Sequence, residues 1–205
     1  MRNKNVLSLK LLLIVMLCTV VFACKKTDDT YYNYENTLQK FDGDVMDYLN
    51  SQPGVYDSLL IVLDRLPALK DSLKNQKVTF FAVTNKSFQT SVGALNEVRR
   101  QTNKAPLNLS KVDVKELDTL THRYVLHGEY TTADYESFAD GLLIKSMKNS
   151  YPMHVQYNKA TASGFIGGGP AVITFTDPKG SIFVRYWQST PTNAVNIKTN
   201  NATIN

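Results

Sequence analysis

Side chains that could carry out catalysis are few in this chain of 205 residues. His122 and His127 are five positions apart, which would place them on different faces of a helix. We therefore do not expect them to bind one metal ion together. His154 lies on the polar side of an alternating strand pattern and is expected to face solvent. The sequence contains neither the Gly-x-Ser-x-Gly spacing of a nucleophile elbow nor the His-Glu-x-x-His spacing of a zinc protease. We therefore predict a protein that is not an enzyme and that needs no metal and no cofactor.

Two other stretches have the spacing of ligand-binding loops. Asp42, Asp44 and Asp47 are close enough for a calcium loop, but the terminal glutamate of such a loop is missing, and acids are favoured at a helix start. The triple glycine at 167–169 could cradle a phosphate, but it lacks the Gly-Lys-Ser/Thr ending and the strand-to-helix setting. The two patterns therefore predict a helix start and a flexible hairpin loop.

Aromatic side chains in the last third of the chain are better candidates for binding. They are Tyr151, Tyr157, Phe183, Tyr186 and Trp187. Exposed rings of this kind stack on sugars or anchor a protein partner. We single out Trp187 with its neighbours Arg185 and Tyr186 as the predicted ligand contact. The alternative is that most of these rings belong to the core.

The first 23 residues have the pattern of a signal peptide. A basic start is followed by an apolar run from Leu11 to Phe22, which is short for a membrane-spanning helix, and then by Ala23 and Cys24. This ending resembles the cleavage box of bacterial lipoproteins, which implies cleavage between the two residues and acylation of Cys24, for example with palmitate. Ordinary secretion with an incidental cysteine is the alternative. We predict a leader over 1–23, a lipid-anchored tether over 24–37 and a location at the outer membrane, facing outward.

Composition indicates one ordinary domain after this tether. Hydrophobic residues make up 43% and charged residues 20% of the chain, which favours a packed core over disorder. The net charge of +5 falls to about +2 when Arg2, Lys4 and Lys10 leave with the leader, and no basic cluster with interleaved aromatics occurs, so nucleic acid is not an expected partner. Cys18 also lies in the leader, so the mature chain has a single cysteine and no internal disulfide.

The elements that must position these side chains are organised around Lys77–Phe88. The apolar run Val78–Val83 predicts a strand buried on both faces, and Thr84 and Asn85 are expected to cap the helix that follows. Helical stripes expected to face the core lie over 38–49, 56–66, 68–73, 88–98 and 112–126, the last of them ended by Gly128.

Strand patterns dominate the second half of the chain. They lie over 142–144, 153–157, 171–176 and 182–187, with glycine- and proline-containing turns between them. A helical first half and a strand-rich second half predict an α+β fold over 38–205. Residues 197–205 alternate as one strand would and then stop, so we expect an incomplete last strand and an unpaired sheet edge.

Several of these stretches resemble the fasciclin domain family. The family pattern T-x-F-A-x-T-N-x-x-F is matched by Thr79, Phe81, Ala82, Thr84, Asn85 and Phe88. A second block, in which a helix runs into a glycine and a K-Y-T-like strand, is matched at Gly128 and Tyr130. The closing pattern is matched at Ile197, Thr199, Asn201 and Ile204. The resemblance runs from about Phe41 to Asn205 and implies a single fasciclin-like domain in which these residues have structural roles.

The same resemblance sets the functional expectation. The family often carries a Tyr-His pair before the glycine, linked in some animal members to integrin contact, whereas this chain has Arg123 and Tyr124 there and no Arg-Gly-Asp. The region from Gly164 to Trp187 looks like the version found in Bacteroidota surface lipoproteins. Resemblance and anchor together imply a non-enzymatic adhesion or binding module at the cell surface, with a protein or glycan ligand. The alternative is an accessory glycan-binding lipoprotein of a polysaccharide-uptake system.

Overall fold

The computed structural model describes residues 39–159, 161, 164, 166–169, 171–183, 185, 188–193 and 197–205. The predicted leader, the cleavage site at Ala23 and Cys24, and the tether over 24–37 lie outside the described residues, as do Tyr186 and Trp187. Among the residues that are described, no helix combines the length and the apolar character that crossing a membrane requires.

The chain enters the fold through a short strand and three helices. They are β1, Gln39–Lys40; α1, Val45–Asn50; α2, Asp57–Asp64; and α3, Pro67–Asn75. The prediction of a helix over 38–49 is wrong before Val45. Gly43 has a non-helical φ of +152°, and Asp44 caps α1 in a reciprocal capping box with Asp47, so the helix cannot start earlier. Two of the three clustered acids therefore start a helix, as their pattern predicted.

The central strand, β2, is Val78–Phe80 and is buried along its whole length, as predicted, but it ends three residues before the predicted end at Val83. It pairs in parallel with β9, Ala202–Ile204, and antiparallel with β3, Val125–His127. β8, Ile197–Lys198, continues the sheet to β1, which gives the order β1-β8-β9-β2-β3. The tail predicted as one strand is two strands joined by a turn, and its second strand is paired on both sides. The expectation of an unpaired edge there is wrong.

A long surface helix follows the central strand. This helix, α4, is Asn85–Gln101 and begins directly after Thr84, but none of its residues is buried. Phe88, at its start, is half-buried against the helical core, but Leu95 and Val98 are 45% and 58% exposed, so the prediction that the stripe faces the core is wrong for its second half. Polar contacts hold the helix instead: the Asn96 side chain donates to the backbone carbonyl of Leu107 and accepts from its amide, at 2.9 and 2.7 Å.

The helix predicted over 112–126 is shorter than its apolar stripe suggested. α5 is Val114–His122, and Asp113 caps it by accepting backbone hydrogen bonds. Val125 belongs to β3 and is fully buried, whereas Tyr124 lies between α5 and β3 and is 38% exposed. Gly128, at a φ of +91°, consequently follows a strand and does not end a helix.

The segment after Gly128 also differs from the expected strand. Thr131 and Asp134 form a capping box at the start of a short helix, α6, Thr132–Glu136. A second, antiparallel sheet follows, with strands β4, Leu142–Lys145; β5, Pro152–Lys159; β6, Ala171–Asp177; and β7, Gln188–Asn193. The first three match their patterns. The fourth was predicted over 182–187, but residues after Asp177 first form a loop in which the Ser181 amide donates back to the Pro178 carbonyl at 2.9 Å.

Two apolar clusters make up the core of the described domain. One packs α1, α2 and α3 against β2 and β9, and the other lies on the second sheet and includes Phe81, Leu126 and Tyr135. Phe81 stacks on Phe175 of β6 with ring centroids 4.1 Å apart, so the residue directly after the central strand joins the two sheets. The predicted α+β class is confirmed.

Candidate binding surface

A half-buried carboxylate organises the surface where α5 ends and β6 ends. Asp177 accepts a hydrogen bond from Arg123 Nη1 at 2.9 Å and another from the Tyr151 hydroxyl at 2.6 Å. The Arg123 guanidinium lies over the Tyr151 ring, 4.4 Å from its centroid. Burial and the hydrogen bond to Asp177 raise the pKa of Tyr151, which therefore stays a neutral donor. The three side chains hold one another in place.

Apolar and aromatic groups are exposed beside this cluster. Tyr124 is 38% exposed, and its ring contacts Phe175 at a centroid distance of 5.6 Å. Burial and the nearby Asp177 carboxylate raise the pKa of Tyr124. Leu120, one turn earlier on α5, is 53% exposed. We call Leu120, Arg123, Tyr124 and Tyr151 the Arg123 surface.

A second charged cluster borders the Arg123 surface. Asp118 pairs with Lys148 and with His122, whose Nδ1 lies 2.9 Å from Oδ1 of the carboxylate. Burial lowers the pKa of His122, which favours the neutral ring. Among the described residues, no group of three or more His, Cys, Asp or Glu side chains is arranged to hold a metal ion. This cluster is a hydrogen-bonded flank of the surface.

The loop after Asp177 carries the one predicted ligand residue that the structure describes. Arg185 is exposed, and its guanidinium lies 5.6 Å from the centroid of the Phe183 ring. Ile182 and Phe183 are 84% and 56% exposed. The other two predicted contacts, Tyr186 and Trp187, fall outside the described residues. Tyr151 and Tyr157, from the same aromatic set, are half-buried against the second core cluster.

The fasciclin-pattern residues lie within the fold rather than on this surface. Thr79 Oγ1 donates to the Gly128 carbonyl at 2.8 Å and accepts from the Tyr130 amide at 2.7 Å, which fixes the turn after β3. Phe81 and Ala82 follow the central strand, and the Ala82 amide donates to the Asn205 carbonyl at 2.9 Å. These contacts stabilise the sheet and its turns.

Thr84 and Asn85 were both expected to cap the helix that they begin. Thr84 makes no such side-chain bond to the backbone. The Asn85 carbonyl oxygen accepts from the Ser58 amide at 2.7 Å, so this side chain caps α2 instead. Its amide nitrogen also donates to the Gly54 carbonyl and to Asp57, each at 2.9 Å. Phe88, the last residue of the pattern, is half-buried against the helical cluster.

His154 was expected to face solvent, and this is wrong. It is 7% exposed, and its Nε2 donates to the Asp140 carbonyl at 2.7 Å. The ring lies directly against Gly141, where an added Cβ would come within 2.6 Å of it. The alternating pattern missed this burial because residues 139–141 fold over the polar face of β5.

Comparisons with known proteins place this fold. No family model matches the chain, and no curated protein matches it. A FAS1 domain pair from the insect cell adhesion molecule fasciclin I is similar in structure, with a TM-score of 0.50 and 14% sequence identity over 79% of this chain and 48% of that one. The chain thus spans about half the length of that relative. At this identity the likeness concerns the fold alone, and the domain has a fasciclin-like α+β fold.

Proposed function

We propose that this chain is a non-enzymatic binding module of the adhesion type, held by lipid on Cys24 at the outer membrane and binding a protein through the Arg123 surface. The fold supports the class, since a similar domain pair belongs to a cell adhesion molecule. The leader pattern ending at Ala23 supports the anchor. The arrangement of Arg123, Tyr151 and Asp177 is the observation that carries the proposed contact.

The composition and order of this surface favour a protein partner. Tyrosine and arginine are enriched among the residues that dominate protein interfaces. Here Arg123 is already held by Asp177 and by the Tyr151 ring, so binding would immobilise few additional side-chain torsions. Leu120 and Tyr124 add exposed apolar area next to the fixed guanidinium. The surface therefore combines an ordered polar centre with an apolar margin.

The test is a binding screen of the acylated chain in mild detergent against matrix proteins and polysaccharides side by side. Tyr124→Ala should weaken binding to a protein ligand by at least about tenfold, as expected for an aromatic side chain that becomes buried in the complex. Leu143→Ser is the matched control, because Leu143 is 61% exposed on the second sheet, and it should leave the affinity unchanged. Equal affinities for wild type and Tyr124→Ala would rule out this surface as the contact.

The polysaccharide arm decides the alternative function. Saturable sugar binding that is lost on Trp187→Ala and kept on Tyr124→Ala would replace the adhesion proposal with glycan capture for uptake. The anchor is tested separately by labelling cells with palmitate. We expect label in the wild-type chain and none in Cys24→Ala; label that persists in the variant would refute lipidation at this residue.

A further inference from the structure

The carboxylate at the centre of the Arg123 surface has both of its oxygens bonded from within the protein. Asp177 Oδ1 accepts from the Tyr151 hydroxyl at 2.6 Å and from the Lys179 amide at 2.9 Å. Asp177 Oδ2 accepts from Arg123 Nη1 at 2.9 Å. A carboxylate can only accept hydrogen bonds, and these three donors already occupy it. Asp177 therefore offers little to a hydrogen-bond donor of a partner.

The carboxylate that borders the Arg123 surface is occupied in the same way. Asp118 Oδ2 accepts from Lys148 Nζ, and His122 Nδ1 lies 2.9 Å from Asp118 Oδ1. The same nitrogen lies 2.8 Å from the backbone carbonyl of Asp118, so it faces two acceptors and carries the ring proton. Both oxygens of Asp118 thus have a donor within the domain, as those of Asp177 do.

Arg123, in contrast, keeps most of its five N–H donors. It donates through Nη1, while Nε and Nη2 make no hydrogen bond within the part of the chain that the structure describes, and neither of them is fully buried. Arg100 on α4 provides a comparison, because its Nε and Nη2 both donate to Glu97, at 3.0 and 2.6 Å. The edge of the guanidinium that Glu97 fills in Arg100 is therefore open in Arg123.

Two contacts fix the Arg123 guanidinium before a partner binds. It lies over the ring of Tyr151, which directly precedes β5. Lys148, from the same β4–β5 turn, pairs with Asp118 of α5, so the turn and the end of the helix are joined twice. Stacking on a ring leaves the N–H edges of a guanidinium available, and such a planar edge matches the two oxygens of a carboxylate. The open edge of Arg123 is therefore a preorganised carboxylate site.

We propose that the protein partner of the Arg123 surface presents an aspartate or glutamate side chain to the Nε and Nη2 edge of Arg123. This inference rests on the proposed function of that surface and names the chemistry of its partner. An apolar side chain next to the partner's carboxylate packs against Leu120 and Tyr124, which are exposed at the same end of α5. This apolar contact favours an acidic protein segment over an acidic polysaccharide, whose sugar rings carry no aliphatic side chains.

The experiment measures by fluorescence anisotropy how the acylated chain, in a non-ionic detergent, binds two labelled peptides. One peptide repeats Glu-Val-Gly with both ends blocked, and the other repeats Gln-Val-Gly, so the two differ only in their carboxylates. Wild type should bind the glutamate peptide about tenfold more tightly or better, as expected for a charge-assisted bidentate pair. Arg123→Lys keeps the positive charge and loses the planar fork, so the preference should fall to about threefold or less.

Arg100→Lys is the matched control. Arg100 also pairs with a carboxylate, but its Nε and Nη2 edge is filled by Glu97, so the substitution should leave the preference for the glutamate peptide unchanged. The comparison of the two peptides on wild type needs no variant to fold. Equal binding of the two peptides, or binding of neither, would overturn the proposal. So would a preference that Arg123→Lys retains in full, or tighter binding of polygalacturonate, a sugar carboxylate, than of the glutamate peptide.

Tyr124→Ala separates this inference from the proposed function. A matrix protein that wild type binds and Tyr124→Ala loses, together with equal binding of the two peptides, would keep the surface as a protein contact and overturn only the carboxylate chemistry. A matrix protein that Tyr124→Ala still binds, together with a glutamate preference that Arg123→Lys loses, would have the opposite meaning. The carboxylate site at Arg123 would then stand, and the proposed contact through Tyr124 would be wrong.

Discussion

Asn85 provides the sharpest test of how the central joint of this domain is held. The sequence treats Thr84 and Asn85 alike, as polar residues at the start of α4. In the structure their roles differ: Asn85 caps the neighbouring helix α2 through the Ser58 amide, and it also bonds Gly54 and Asp57. Replacing Asn85 with alanine should therefore destabilise the contact between two helices, whereas replacing Thr84 should not.

The expected cost follows from the bonds that are lost. Losing a helix cap costs about 1 kcal/mol. The bonds to Gly54 and Asp57 are exposed to solvent and add about 1 kcal/mol together. Asn85→Ala should thus lower the free energy of unfolding by about 2 kcal/mol, or roughly 4–8 °C in Tm for a domain of this size. Thr84→Ala should cost less than about 0.5 kcal/mol, because that side chain makes no backbone cap bond.

Denaturant unfolding followed by circular dichroism measures both values, provided that wild type and variants share one m-value. A double variant with Asp57→Ala adds detail, since part of the Asn85 effect acts through that carboxylate and the two costs should not add. The reasoning is refuted if Thr84→Ala costs as much as Asn85→Ala, or if Asn85→Ala costs less than about 0.5 kcal/mol.

Three further substitutions test local features. Ser150 has a φ of +50° in the β4–β5 turn, so Ser150→Gly should stabilise the domain by about 1 kcal/mol in the same unfolding assay, and by more than Asn149→Gly, since asparagine tolerates this conformation. Gly141→Ala should cost about 3 kcal/mol or more, because the new Cβ meets the His154 ring at a φ of +75°; a neutral result would contradict the described packing. Burial raises the pKa of Tyr56 from 10.0 to about 12, so the unfolded chain loses this proton first. Stability should therefore fall as pH rises through that interval, and Tyr56→Phe should flatten the fall in unfolding midpoints.

Local sequence patterns were sufficient to predict the central strand and the start of the helix that follows it. The run of β-branched and aromatic residues at 78–83 favours a buried strand, which the structure has at 78–80, and the helix after it begins where the polar pair lies. The pattern failed at α4, where Leu95 and Val98 have helical spacing but no layer above them. Periodicity shows that one face is apolar, and it does not show that another element covers that face.

The candidate surface was less accessible to sequence reasoning. Arg185 was identified from its aromatic neighbours, and Arg123 with Tyr124 only as departures from a family pattern. Asp177 and Tyr151 are 26 positions apart, and Arg123 and Asp177 are 54 apart, so only the folded sheets bring the three together. From the sequence, a single aspartate after a strand is interpreted as a turn residue. Asp177 does have that role, because its carboxylate accepts a hydrogen bond from the Lys179 amide, in addition to its contacts with Arg123 and Tyr151.

The position of β9 has a consequence for the order in which the domain can form. Ala202 pairs with Val78, 124 positions earlier, and β9 separates β2 from β8. In a chain synthesised from its amino terminus, β2 has only β3 as a neighbour until residues 202–204 are added. Contacts between such distant segments make folding slow. The edge of β2 that pairs with β9 therefore stays unpaired until residues 202–204 have been synthesised, and during that interval it is open to pairing with another chain.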